Sequence, residues 1–210
     1  MNDNHFNGAQ PSELGSLHHT ELTQLRREHP EWLLGDRTSE WFASSWNLAV
    51  PEVREHRLAH VREACLAGGL DWDGLEVDWQ RHAFHLPDKE GYRLRYVITD
   101  MQRAIRQIAD EISAARGRPF RLAVRVAGSI EQSLRQGYDV AAWVAEGLID
   151  VLIPAGNAAT DGSTEVDTWR ALVEEASQSS DDSSREKVLI FPGFDNGLPR
   201  AVNTQHSSIH

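Results

Sequence analysis

Two carboxylates stand two residues apart in the run Gly74-Leu75-Glu76-Val77-Asp78-Trp79, and a pair of carboxyl groups is what most glycosidic-bond hydrolysis needs. If the run is a strand, Glu76 and Asp78 share one face while Leu75, Val77 and Trp79 share the other. At ~3.3 Å per residue the two acids lie roughly 6.6 Å apart, inside the range of glycosidase carboxylate pairs. Such pairs, however, flank the sugar from different strands, and these two come from one. Asp78, the later of the two, is therefore the candidate nucleophile or general base. Glu76 is expected to play a structural part, paired with Arg125 so that neither charge is buried alone, and Arg125 is also a candidate substrate-binding residue. The alternative for Asp78 is a carboxylate that orders a loop or binds a ligand hydroxyl without catalysing anything.

The missing partner is a general acid. Asp195, in Phe191-Pro192-Gly193-Phe194-Asp195, is the leading candidate, and Asp3 is a second. Asn157, in Gly156-Asn157, suits either a sugar hydroxyl or a turn. Trp46, Asn47, Trp79 and Phe84 could build a stacking wall with one polar member; alternation turns Trp79 toward the core and leaves Trp46 as the better ring. The spacing Asp78-x-x-x-His82-x-x-His85 invites a zinc reading, with His5 or Asp195 completing the set. It matches no standard zinc motif, so His82 and His85 are expected to line the cleft or cap the loop, with no metal and no cofactor required. The chain has no Gly-x-Gly-x-x-Gly, P-loop or Gly-x-Ser-x-Gly pattern, which argues against hydride transfer, nucleotide hydrolysis and serine-esterase chemistry.

The elements that must position these residues alternate. Strands are expected at 74–79, 120–126, 149–154 and 187–192. A long helix at about 91–116 carries Leu94, Val97, Met101, Ile105, Ile108 and Ile112 on one stripe and is stopped by Gly117. A short helix is capped by Asp139 and ended by Gly147, and another spans about 165–176 with Val166, Trp169, Leu172 and Val173 inward. Before the first strand, 51–67 reads as a helix opened by Pro51 and closed by Gly68-Gly69. Strand–helix alternation implies parallel strands joined by right-handed crossovers. A strand spacing of roughly 25 to 45 residues suits β/α-barrel units. The loop at 177–185 is polar, and 201–210 is expected to be a polar, disordered tail to one domain at 1–200.

Composition narrows the partners. A formal net charge of −11 opposes nucleic-acid binding. No apolar run is long enough to span a membrane, and no signal peptide is visible, which leaves the compartment open. The single Cys65 excludes an internal disulfide. The 7 tryptophans suit sugar stacking, but core packing is the commoner fate of any one of them.

Four phrases resemble glycoside-hydrolase-like family 10, a group of β/α-barrel glycosidases. Met1-Asn2-Asp3 is similar to the polar end of the family's third strand, and His29-Pro30-Glu31-Trp32-Leu33 to its HPEW loop. Val50-Pro51-Glu52-Val53-Arg54 is similar to its PEVR helix opening, and Asp73-Gly74-Leu75-Glu76-Val77-Asp78 to its fourth strand. The resemblance runs from residue 1 to about 195. It implies a partial TIM-type barrel of about strands three to seven, with strands one, two and eight unmatched, acting on a polysaccharide or glycoconjugate. On this mapping the chain is expected to be a fragment, with activity in question and two open edges that favour self-association. A non-catalytic carbohydrate-binding remnant and a metal-dependent hydrolase stay open beside it.

Overall fold

The computed structural model describes residues 24–35, 45–67, 70–80, 83–156, 164–178 and 186–193. Helix α1 (Gln24–Glu28) and a 3-10 turn (Pro30–Trp32) precede α2 (Pro51–Arg62). Pro51 occupies the first turn of α2, where its missing N–H costs nothing. Just upstream, the Asn47 carboxamide oxygen accepts from the Ala49 N–H at 3.0 Å and turns the chain into the helix. The expected helix at 51–67 is thus continuous, but its last turn, Glu63–Ala67, is π-helical.

Strand β1 (Gly74–Asp78) leads to α3 (Arg95–Arg116), β2 (Arg121–Ala127), α4 (Ile130–Gln136) and α5 (Val140–Ala145). Strand β3 (Val151–Ala155), α6 (Val166–Gln178) and β4 (Leu189–Ile190) follow. All six stripe residues of the long helix are buried. It stops at Gly117, whose φ of 65° is a left-handed conformation that a side chain would disfavour. Asp139 caps α5 through the Ala142 N–H, as its position suggests. Helix α4 was not expected. Its sequence offers only Ile130 and Leu134 as apolar residues, too few to register as a period, and it is Ser129, accepting from the Gln132 N–H, that starts it. The last strand is shorter than the 187–192 expected, although Gly193 bridges to Ala155 beyond its end.

The four strands are parallel in the order β1-β2-β3-β4. Right-handed crossovers that always step in the same direction place their helices on one face of the sheet. The burial pattern agrees: Leu122, Val124, Val126 and Leu152 are fully buried against the helices, with Trp143 and Trp169 behind them. On the opposite face the register aligns Glu76, Ala123, Val151 and Leu189 in one row. Asp78, Arg125 and Ile153 share the next row. Because Leu189 faces Val151 and Gly193 faces Ala155, Phe191 completes it. Leu189 and Phe191 are 54% and 57% exposed. Among the described residues no helix is long and apolar enough to cross a membrane.

At the N-terminal end of the strands, Asp150 holds the sheet to α3. Its carboxylate accepts from the Leu122 N–H at 2.7 Å and from Arg106 at 3.0 Å, with Arg121 at 3.5 Å. A cavity of about 870 Å³ opens here between α3, α6 and the strand starts. Its cations are already paired: Arg106 with Asp110 and Asp150, Arg118 with Asp71 and Asp73, Arg121 with Glu186, and Lys187 with Glu174.

Candidate functional site

Chemistry-bearing side chains gather at the other end, where β1 and β2 finish. Strand alternation turns Glu76 and Asp78 onto the helix-free face, and the parallel register sets Asp78 opposite Arg125. Arg125 binds Glu76 through Nε at 2.9 Å and Nη2 at 2.8 Å. Its Nε is 3.8 Å from Asp78 Oδ2, while Asp78 Oδ1 accepts from the Gln80 N–H at 2.9 Å. The Glu76–Arg125 pair read from alternation is therefore present. It differs from the expectation in its surroundings, because the two side chains are 42% and 28% exposed rather than enclosed. No described strand stands across from them to exclude water.

Beneath Asp78 lies a buried aromatic group. Trp79 turns into the core, where the Trp79 carbonyl accepts from the Tyr138 hydroxyl at 2.7 Å and pairs with His85 Nε2 at 3.0 Å. A carbonyl only accepts, so Nε2 carries the proton of His85. Burial pushes the Tyr138 phenol well above its ordinary range, and the nearby Asp78 carboxylate adds to the shift. Tyr138 thus remains a donor and fixes the backbone where β1 leaves the sheet. No spacing in the sequence signals this contact, which joins residues 59 positions apart.

Two readings need correction. Trp46 does not offer a ring to a sugar. It is 1% exposed, with the Arg26 guanidinium 4.8 Å from its centroid and His56 against it, because the Leu33–Trp46 bridge draws it into the core. Asn47 spends its carboxamide oxygen on the turn before α2. Among the described residues, an aromatic ring that does stand exposed on the carboxylate face is Phe191, in the same row as Asp78 and Arg125, and an alternating strand at 187–192 would have marked it. Of the two roles expected for His85, lining the cleft or capping the loop, the structure shows the second: the ring is buried and bonds the Trp79 carbonyl where β1 ends.

Asp195, His82 and Asn157 lie outside the described residues, as do Asp3 and His5. Among the described residues no three His, Cys, Asp or Glu side chains gather as a metal site. What the described arrangement offers is one carboxylate held at the strand ends by a backbone N–H, a guanidinium shared between two acids, and an aromatic ring on the same face. Compared with known proteins, the chain matches no family model and no curated sequence.

Proposed function

We propose that this chain is part of a β/α-barrel protein that hydrolyses a polysaccharide or glycoconjugate, with Asp78 as nucleophile or general base. The observation that carries the reading is the position of Asp78. It stands at the C-terminal end of a parallel strand, on the face away from the helices, which is where barrel enzymes keep their chemistry. Sequential strand order with helices on one face is the arrangement that curls into a barrel when more strands follow, and the resemblance to glycoside-hydrolase-like family 10 supplies the substrate class.

The mechanism needs one ionised and one protonated carboxyl. Glu76 is engaged by two Arg125 nitrogens, and it lies on the same strand as Asp78 rather than across a substrate from it. The proton donor must come from elsewhere, and Asp195 is the residue we put forward. The Gln80 N–H orients the Asp78 carboxylate, and Phe191 gives a sugar ring a face to lie against.

A second reading, a barrel that binds carbohydrate without cleaving it, is favoured by the single suitably placed carboxylate among the described residues. A hydrolysis screen against a panel of polysaccharides separates the two. Loss of activity in Asp78→Asn on the order of 10²–10⁴-fold supports catalysis; full activity in that variant sinks it. Glycan binding that survives Asp78→Asn but weakens in Phe191→Ala supports the binding reading instead. Neither reading calls for nucleic acid, a membrane, a metal or a cofactor.

A further inference from the structure

Gly193 sits one residue pair above the row of Asp78, Arg125 and Phe191. Its N–H donates to the Pro154 carbonyl at 2.9 Å, which fixes it against β3. A methyl group at this position would stand 2.6 Å from Arg125 Nη1, 3.0 Å from Ile153 Cγ2 and 3.1 Å from Ala155 Cβ. The closest of these atoms is the tip of a flexible side chain, so the guanidinium would yield before the sheet did.

Arg125 divides its donors unequally. Nε and Nη2 serve Glu76, whereas Nη1, in the gap that Gly193 leaves, makes no hydrogen bond among the described residues. We propose that Gly193 is a positioning residue for Arg125: by lacking a side chain it holds open the place in which Nη1 offers its protons to a bound ligand. The acceptor it fits is a neutral oxygen, such as a hydroxyl or ring oxygen of a saccharide. Glu76 and Asp78 place two carboxylates within reach of this guanidinium, and a further anion there would stand close to both. The ligand class rests on the carbohydrate reading above; the positioning of Arg125 does not.

The test follows the side-chain Nε–H resonance of Arg125 by NMR in the full chain. In Gly193→Ala that resonance is expected to move and its solvent exchange to quicken, while the melting temperature changes little. In an Arg125→Met background, adding Gly193→Ala is expected to leave the Glu76 carboxyl resonance unmoved. An Arg125 signal unchanged by Gly193→Ala overturns the proposal. So does a fall in melting temperature that is equally large with Met at 125, since the glycine would then serve the packing of Ile153 and Ala155. Inorganic phosphate is the probe for charge. It is expected to leave the Arg125 signal of the native protein in place and to shift it in the Glu76→Gln/Asp78→Asn variant. A phosphate shift in the native protein would make this an anion site and overturn the neutral-acceptor claim. If the Arg125 results hold while no polysaccharide is cleaved or bound, the glycosidase reading fails and the positioning role stands.

Discussion

Arg125 stands directly across the register from Asp78, yet its guanidinium closes on Glu76 at 2.8 Å and stays 3.8 Å from Asp78. The structural acid and the candidate reactive acid are thus separated by which of them holds the arginine. With the pair 42% and 28% exposed, solvent screens most of its Coulomb energy. A double-mutant cycle of Glu76→Gln and Arg125→Met, measured by urea denaturation, is expected to give a coupling of about 0.2–1 kcal/mol. A coupling of roughly 3 kcal/mol or more would mean that the pair is enclosed in solution.

Asp150 is less exposed than either site acid, at 24% against 42% for Glu76 and 37% for Asp78. It satisfies the N–H of Leu122, which is fully buried, and it neutralises Arg106, whose side chain is only 14% exposed. Asp150→Ala would leave the Leu122 N–H without its acceptor and Arg106 with only Asp110 and the Phe120 carbonyl, and is expected to cost about 1–3 kcal/mol. Asp150→Asn keeps an acceptor for Leu122 and should cost less. Equal losses in the two variants would show that the charge on Arg106 dominates.

Alkaline pH should weaken the fold. Burial raises Tyr138 and, opposed only partly by Arg116, also Cys65. Each group holds its proton in the folded state at a pH where the unfolded chain has begun to release it. The contribution is therefore complete below the ordinary thiol and phenol range and is lost as pH rises above it. Across the tyrosine window the slope is about 1.4 kcal/mol per pH unit. Tyr138→Phe should remove that share of the slope in urea melts at pH 9 to 11, ~10 being the ordinary phenol value. The variant should also lower stability at neutral pH, because the Trp79 carbonyl loses its 2.7 Å donor. An unchanged alkaline slope would rule out Tyr138 as its source.

Periodicity carried most of the α/β fold. The stripe from Leu94 to Ile112 and the alternation of Leu122, Val124 and Val126 are local patterns tied directly to one buried face. The same alternation put Glu76, Asp78 and Arg125 on a common face, so the center of the candidate site was legible. Trp46 was not, because the antiparallel bridge to Leu33 that buries it depends on chain pairing rather than on local spacing. Helix α4 was lost for a related reason: capping by Ser129, not a hydrophobic stripe, makes it. The support of β1 by Tyr138 and the clearance at Gly193 are tertiary contacts, and no one-dimensional pattern encodes them.

Exposed apolar side chains collect at both edges of the described sheet. Leu189 and Phe191 lie on and beside β4, and Leu70 and Trp72 precede β1, at 54%, 57%, 50% and 43% exposure. Each edge strand also has a row of backbone groups without a strand neighbour among the described residues. Parallel edges of this kind accept further parallel strands, from additional chain or from a second copy. For residues 1–210 alone, the second copy is what solution offers. Sedimentation is therefore expected to show association that grows with concentration, and the melting temperature should rise with it. Leu189→Glu together with Phe191→Glu places charge on one edge and should shift the protein toward monomer without lowering its helix content. A monomer at every concentration, with a sharp concentration-independent melt, would show that the edges are covered within one chain.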